Sequence, residues 1–259
     1  SFYEFDGLRG LLVRYFTLFG DTPAIGITYG VRIEVVLVTL GLAVYTFFKG
    51  RGVKRAGLVA FLTYTALFIL GTFPSWITIL VLSWQKGLLA VTSSDVAGLF
   101  LTPENILGRS LTDFRSVLNF KMSLVYGLLT SALLTFFLFR TSPRFFFALW
   151  NNARMPQLLY HGGLLILGVL LAFFFADGRF TFDFFSLLGI ILLLIAVECA
   201  WLASVIVNDC YDINIDALTN PDRPLIVSSI PLAHYRTFGI LFFILSLLLS
   251  GIVSFSALL

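Results

Sequence analysis

Charged residues are scarce in this sequence. Of its 259 residues, 12% are Asp, Glu, Lys or Arg and 59% are hydrophobic, whereas soluble domains usually carry about 25% charged residues. Several uncharged runs reach roughly the length that crosses a bilayer. This composition excludes an ordinary soluble domain, and the runs are too long and too continuously apolar for barrel strands. We therefore predict an all-α, polytopic transmembrane helical bundle with about six spans.

The sequence is also short of cysteine and of net positive charge, which argues against a disulfide-rich protein and against a nucleic-acid-binding protein. Cys199 and Cys210 are the only cysteines, so there is no disulfide framework and both are expected to be free thiols. The formal net charge is only +3, and the basic residues lie mostly in short loops, as membrane topology favours. We therefore expect no nucleic-acid partner.

Short basic loops set the expected orientation of the spans. Residues 49–55 and 140–154 contain several basic residues and no acid, so the positive-inside rule places both segments in the cytoplasm. An even number of spans must then lie between them. Pro74 falls in the second apolar stretch, where it either kinks one helix or separates two. The predicted apolar stretches cover 30–48, 56–84, 123–139, 157–175, 184–207 and a run from 237 onward.

The second basic loop is the predicted boundary between two regions. Residues 1–144 form an N-terminal transmembrane region of unknown role, and residues 145–259 form a C-terminal domain. Before that loop, the segment TPENILGRSLTDFRSVL at 102–118 has apolar residues at helical spacing. Thr102 suits an N-cap and Pro103 suits the first helical position, so we predict an amphipathic helix lying on the membrane.

An acidic stretch, NDCYDINIDALTNPDRPL, follows the predicted span at 184–207. Asp209, Asp212 and Asp216 have i, i+3, i+7 spacing, which places them on one face if the helix continues past the membrane edge. Three clustered carboxylates repel one another, so they need protons, basic partners or a divalent cation. Mg²⁺ prefers oxygen ligands and commonly combines a few carboxylates with phosphate oxygens. Asn208 adds a neutral amide, and Pro221 predicts that the helix ends near residue 220.

The alternative interpretation is a solvated acidic loop at a helix end. The fuller pattern favours a specific site, because N-D-x-x-D-x-x-x-D followed by NPDRPL resembles the UbiA-type intramembrane prenyltransferases. In that family the motif is commonly followed by Pro, Arg and Pro at the positions of Pro221, Arg223 and Pro224. Upstream, ARMPQLLYHGG is similar to the start of the family's first helix, with Arg154 and Pro156 as the matching residues. The resemblance covers about residues 145–259, the family's first three helices.

The resemblance implies a reaction and roles for individual residues. Family members bind a polyprenyl diphosphate through Mg²⁺, and the prenyl group passes to an acceptor, often an aromatic ring. We therefore expect a polyprenyl diphosphate, an unidentified acceptor and membrane lipid as partners. The roles implied are catalysis for Asp209 and Asp212, metal binding for Asp209, Asp212 and Asp216, orientation of the site for Asn208, and phosphate contact for Arg154 or Arg223.

Glu198 is a further candidate for substrate binding. It lies about three helical turns before Asp209 and so faces the same way. A carboxyl group inside a span usually faces the protein interior or a wet cavity. The alternative is a structural hydrogen bond, for example to His161 or Tyr160.

The family also needs a second acidic motif on a later helix, and this sequence has no Asp or Glu after Asp222. We expect a truncated domain with the first half of the fold, or a degenerate relative that kept one half-site. The predicted function is a Mg²⁺-dependent integral membrane prenyltransferase in the cell (inner) membrane, with the acidic loop facing the cytoplasm. The alternative is a non-catalytic membrane subunit that binds lipid, quinone or pigment, with membrane-protein partners held by residues 1–144. A transporter is a third possibility.

Overall fold

The structure is a computed structural model that describes residues 7–20, 28–175, 182–221, 223–227 and 230–254. Apart from one short β-hairpin and a π-helical turn, its regular elements are α-helices, which confirms the predicted helical class. The helices are α1 (Gly7–Phe16), α2 (Tyr29–Thr46), α3 (Val53–Gly71), α4 (Phe73–Lys86), α5 (Ser93–Leu101), α6 (Phe114–Thr141), α7 (Pro143–Asn152), α8 (Met155–Phe175), α9 (Phe184–Tyr211), α10 (Ile213–Thr219) and α11 (Leu232–Val253). The strands are β1 (Glu104–Ile106) and β2 (Arg109–Leu111).

Six helices within the described residues are long and apolar enough to cross a membrane. The number agrees with the predicted six spans, and the protein is therefore an integral membrane protein. The six candidates are Tyr29–Arg51, Val53–Gly71, Phe114–Thr141, Met155–Phe175, Phe184–Tyr211 and Leu232–Val253.

The chain divides into two compact units, Ser1–Thr102 and Pro103–Leu259. This structural division lies before α6, whereas the boundary expected from the sequence lies after it. The functional assignment of residues 1–144 and 145–259 stays a prediction.

In the first unit, Pro74 separates two helices rather than kinking one. Helix α3 ends at Gly71, and α4 begins at Phe73 with Pro74 in its first turn. Proline is tolerated there because the first helical N–H groups have no partner within the helix. With 14 residues, α4 is shorter than the roughly 20 residues that a span needs.

The amphipathic helix predicted over 102–118 is wrong. Strands β1 and β2 pair as an antiparallel hairpin, and both turn residues, Leu107 and Gly108, have positive φ angles of 49° and 75°. Such a turn matches the twist of a tight hairpin. Helix α6 starts only at Phe114, where Asp113 accepts a hydrogen bond from the Ser116 backbone N–H at 3.1 Å. The glycine turn and this cap favour a hairpin followed by a helix start at Phe114. They decide the local structure although the spacing of the apolar residues fits a helix.

Within the second unit, a buried charge and an apolar contact hold the hairpin against the helices. Lys121 of α6 is fully buried and pairs with Glu104 of β1 at 2.8 Å. The Lys121 ammonium also lies 4.7 Å from the centre of the Phe185 ring on α9. Leu107 packs so closely on Gly189 that an added Cβ there would lie 2.4 Å from it. These contacts fix the start of α6 against the start of α9.

The core at the other end of the second unit supports the candidate site. One buried cluster contains Leu149 of α7, Ile206 of α9, Tyr235 of α11, and Ile230, which lies just before α11. Helices α9 and α11 approach closely at Gly239, where an added Cβ would lie 2.8 Å from the Ile206 side chain. Small residues at helix crossings permit such close packing in membranes.

Enlarging Gly239 should therefore destabilise the second unit. We expect Gly239→Leu to lower the free energy of unfolding by about 1–3 kcal/mol, as overpacking of a tight contact does. Gly168→Leu is the matched control, because an added Cβ at Gly168 meets nothing within 4 Å. Thermal unfolding of both variants in detergent checks this, and equal melting temperatures would contradict it.

Candidate functional site

The acidic stretch is helical but not one continuous helix. Helix α9 ends at Tyr211, Asp212 has φ −95° and ψ 14°, and α10 begins at Ile213. The single helix face expected for the three aspartates is therefore interrupted at the middle one. Aspartate favours helix ends because its side chain competes for backbone hydrogen bonds. Helix α10 ends at Thr219, as Pro221 predicts.

Asp209 lies at the centre of a buried polar cluster, with 2% of its surface exposed. Its Oδ1 atom accepts hydrogen bonds from Arg223 Nη1 and, at 3.3 Å, from Arg154 Nη2. Its Oδ2 atom accepts from Asn152 Nδ2 at 2.6 Å and from the Tyr235 hydroxyl at 2.8 Å. A carboxylate offers about four lone-pair positions, and here all four are used. We call these five residues the Asp209 cluster.

A second carboxylate joins the cluster through Arg223. Asp216 is 4% exposed and accepts from the same Arg223 Nη1 at 2.6 Å. Its other oxygen accepts from Asn220 Nδ2 at 3.1 Å. Two buried anions and the two guanidinium groups balance in formal charge, which is required because an unpaired buried charge is strongly unfavourable.

Local backbone structure brings the two arginines to Asp209 from different directions. Arg154 links α7 to α8 with φ 53°, a left-handed conformation that costs a residue with a side chain about 1 kcal/mol. Arg223 lies in a turn after α10, where its backbone N–H donates to Asn220 at 3.2 Å and its carbonyl accepts from Ile226 at 2.9 Å. The acidic helix end is thus enclosed by two short connecting segments.

The structure brings together Asp209, Asp216, Arg154 and Arg223 of the predicted site residues. Asn208 and Asp212 lie outside this group, because the Asn208 side chain is exposed and Asp212 is only half-buried. In the part of the chain that is described, neither side chain makes a hydrogen bond to the cluster. Their predicted roles stay predictions.

Glu198 lies apart from the cluster in the middle of α9. Its carboxylate packs on Gly162, where an added Cβ would be 3.2 Å from Oε1, and it interacts electrostatically with His161. Its Oε2 atom is buried without a hydrogen-bond partner among the described residues. The assignment of Glu198 to substrate binding, and its alternative of a structural hydrogen bond to His161 or Tyr160, both stay predictions.

Sequence reasoning missed Asn152 and Tyr235. Asn152 ends α7 two residues before Arg154, and Tyr235 lies in the first turn of α11. The separation of each residue from the aspartates in the sequence predicts no contact with them. The available signal was polarity alone: an amide pair, Asn151 and Asn152, and a tyrosine at the membrane edge.

The donor set fits a divalent cation that is shared with a ligand. Asp209 Oδ1 and Asp216 Oδ2 both contact one cationic nitrogen of Arg223, so two carboxylate oxygens already converge on a positive centre. Mg²⁺ is commonly bound by one or two carboxylates together with substrate phosphates. No group of three His, Cys, Asp or Glu side chains that could hold a metal occurs in the described residues. The pair therefore suits a cation completed by phosphate oxygens rather than a cage of protein ligands.

Removing Arg223 should destabilise the protein, because Asp209 would keep only Arg154 and Asp216 would keep no cationic partner among the described residues. Breaking a buried ion pair costs about 3–5 kcal/mol when its partner stays charged. We expect Arg223→Gln to lower the free energy of unfolding by a substantial part of that amount. The double variant with Asp216→Asn should recover some of the loss, because it also removes the charge that Arg223 had paired. Arg144→Gln, at an exposed position of α7, is the control and should change stability by less than about 0.5 kcal/mol. Thermal unfolding in detergent measures all three, and a stable Arg223→Gln would count against the cluster.

Comparison with known protein families matches the C-terminal part of the chain. No curated protein and no solved structure matches the chain. Residues 163–259 match the UbiA prenyltransferase family. This region holds Asp209, Asp216, Arg223 and Tyr235, whereas Arg154 lies upstream of it. The resemblance found in the sequence is thus confirmed for residues 163–259, which are similar to the UbiA prenyltransferase family.

Proposed function

We propose that this protein acts in intramembrane prenyl transfer. It binds a polyprenyl diphosphate through Mg²⁺ at the Asp209 cluster, and the prenyl group passes to an acceptor. One observation carries the proposal: a single nitrogen of Arg223 lies between two buried carboxylates at the membrane end of a span. A cation can replace Arg223 at the two carboxylates, while the diphosphate takes up the guanidinium group that is released.

The charged residues would exchange partners when the ligand binds. Mg²⁺, when bound, supplies neutralisation of the diphosphate leaving group. Asp209 and Asp216 then no longer need Arg223, so the guanidinium groups of Arg223 and Arg154 can turn to phosphate oxygens. Guanidinium groups bind phosphate with paired N–H donors. Once turned to the phosphate oxygens, such donors stabilise the negative charge that develops as the allylic C–O bond breaks.

Glu198 is the proposed contact on the acceptor side. It lies about three helical turns from Asp209 along α9, inside the span. Among the residues that the structure describes, its buried Oε2 has no hydrogen-bond partner, which is unfavourable within a span unless a ligand uses it. An acceptor hydroxyl group could donate to this oxygen.

The proposal is tested by ligand binding to the full chain in lipid nanodiscs. Calorimetric titration with farnesyl diphosphate should give binding with Mg²⁺ present and none with EDTA. Asp212 is the proposed third metal ligand at this helix end, so we expect Asp212→Ala to weaken binding about tenfold or more, equivalent to ~1.4 kcal/mol, and Asp209→Ala to abolish it. Asn214→Ala, two residues away and exposed, should bind normally. Binding without Mg²⁺, or normal binding by Asp212→Ala, would contradict the assigned roles.

We also propose that the protein resides in the cell (inner) membrane with the acidic loop in the cytoplasm. The basic segments at 49–55 and 140–154 support this placement. Leu218 and Phe182 are 88% and 62% exposed and flank opposite ends of α9. In a background without Cys199 and Cys210, a membrane-impermeant maleimide should label Leu218→Cys only in inside-out vesicles and Phe182→Cys only in right-side-out vesicles. The reverse pattern would overturn the orientation.

One observation favours a second candidate function. All four lone-pair positions of Asp209 are occupied by the protein's own donors, as in a purely structural ion-pair network. In that case the protein is a non-catalytic membrane subunit that binds lipid, quinone or pigment, with residues 1–144 holding a membrane-protein partner. Isolation in a stable complex, without transferase activity at saturating Mg²⁺, would support this function over the first.

A further inference from the structure

We propose that Asn152 and Tyr235 are positioning residues that restrict Asp209 to one cation-binding oxygen, so that the site selects Mg²⁺ over Ca²⁺. The inference rests on the proposed function, because it requires a cation at the Asp209 cluster. It goes beyond that function by naming what determines the identity of the cation.

Asn152, Tyr235 and Asp209 form a closed ring of hydrogen bonds across three helices. Asn152 Nδ2 donates to Asp209 Oδ2 at 2.6 Å and to the Tyr235 hydroxyl oxygen at 2.6 Å. The Tyr235 hydroxyl donates to the same Oδ2 atom at 2.8 Å. Tyr235 is fully buried, and the residues come from the end of α7, the end of α9 and the start of α11.

The two oxygens of Asp209 therefore have different partners. Oδ1 receives only cationic donors, Arg154 and Arg223, whereas Oδ2 receives only neutral donors. A divalent cation repels the guanidinium groups and can replace them at Oδ1. The neutral donors gain nothing by leaving, because a buried hydroxyl or amide without a partner is unfavourable. Exchange is thus confined to Oδ1.

Asp216 repeats this division. Its Oδ2 atom faces Arg223, and its Oδ1 atom accepts from the neutral amide of Asn220 at 3.1 Å. Each of the two buried carboxylates thus offers one oxygen on the arginine side and has the other held by an amide. Because both carboxylates show this pattern, the limit of one available oxygen applies to the whole site and not to Asp209 alone.

One available oxygen per carboxylate favours the smaller cation. Ca²⁺ takes six to eight oxygen ligands and often binds both oxygens of a carboxylate, whereas Mg²⁺ takes six in a stricter octahedral geometry. With Oδ2 held by Asn152 and Tyr235, bidentate binding by Asp209 is prevented. Outer partners of metal ligands commonly change metal affinity about 10–100-fold when they are removed. Asn152 lies upstream of the family match at 163–259, so α7 contributes to this selectivity from outside the matched region.

The test uses the full chain in nanodiscs with Mn²⁺ and inorganic diphosphate as probes. Electron paramagnetic resonance measures bound Mn²⁺, and competition with Mg²⁺ and Ca²⁺ gives the ratio of their affinities. In Tyr235→Phe and Asn152→Ala we expect the preference for Mg²⁺ over Ca²⁺ to fall about tenfold. Tyr160→Phe and Asn151→Ala, at exposed positions, are the matched controls and should keep the wild-type ratio. A merely structural role would lower both affinities together and leave the ratio unchanged.

The outcomes separate this inference from the proposed function. If the wild type binds no Mn²⁺ in the presence of diphosphate, the proposed function fails and the inference fails with it. If the wild type binds Mn²⁺ and both variants keep its Mg²⁺ to Ca²⁺ ratio, the inference alone is overturned. If Tyr235→Phe does not fold, Asn152→Ala and Asn220→Ala decide by the same ratio.

Discussion

The burial of the Asp209 carboxylate governs the organisation of the second unit. An ionised group at 2% exposure must find partners, because solvent cannot stabilise it. Its four partners come from α7, from the α7–α8 connection, from the turn after α10 and from α11. One side chain thereby determines how four segments that are distant in sequence meet at the end of α9. The apolar cluster around Ile206 and Tyr235 lies on the same helices, so packing and charge pairing support one arrangement.

Composition and length were enough to predict the spans, because a bilayer demands long apolar helices whatever their function. The acidic motif was also visible, since Asp209, Asp216 and Arg223 lie within one short stretch. Asn152 and Tyr235 were not predictable, because their role depends on a tertiary meeting of α7 and α11 with α9. The β-hairpin was missed for a different reason. Its apolar residues have helical spacing, but the turn at Gly108 and the cap at Asp113 decide the local structure.

The arginines give the site a resting state that needs no ligand. Two carboxylates in the membrane edge region would repel each other without a cation, and Arg223 provides it from within the chain. The same arrangement is compatible with catalysis and with a purely structural role, because both need charge balance. What separates them chemically is whether the arginine can be exchanged, and its side chain retains 16% exposure.

The left-handed backbone at Arg154 has a mechanical consequence. Helix α8 begins immediately after this residue, and none of its membrane-spanning window is buried within the protein. Its start is held by the Arg154–Asp209 pair and by the Trp201 indole N–H, which donates to the Ala153 carbonyl at 3.3 Å. Loss of the Arg154–Asp209 pair would leave the start of this lipid-facing helix held by the Trp201–Ala153 hydrogen bond and by the contact of His161 with the Trp201 ring. The charge state of the Asp209 cluster is therefore coupled to how firmly α8 is attached to α9.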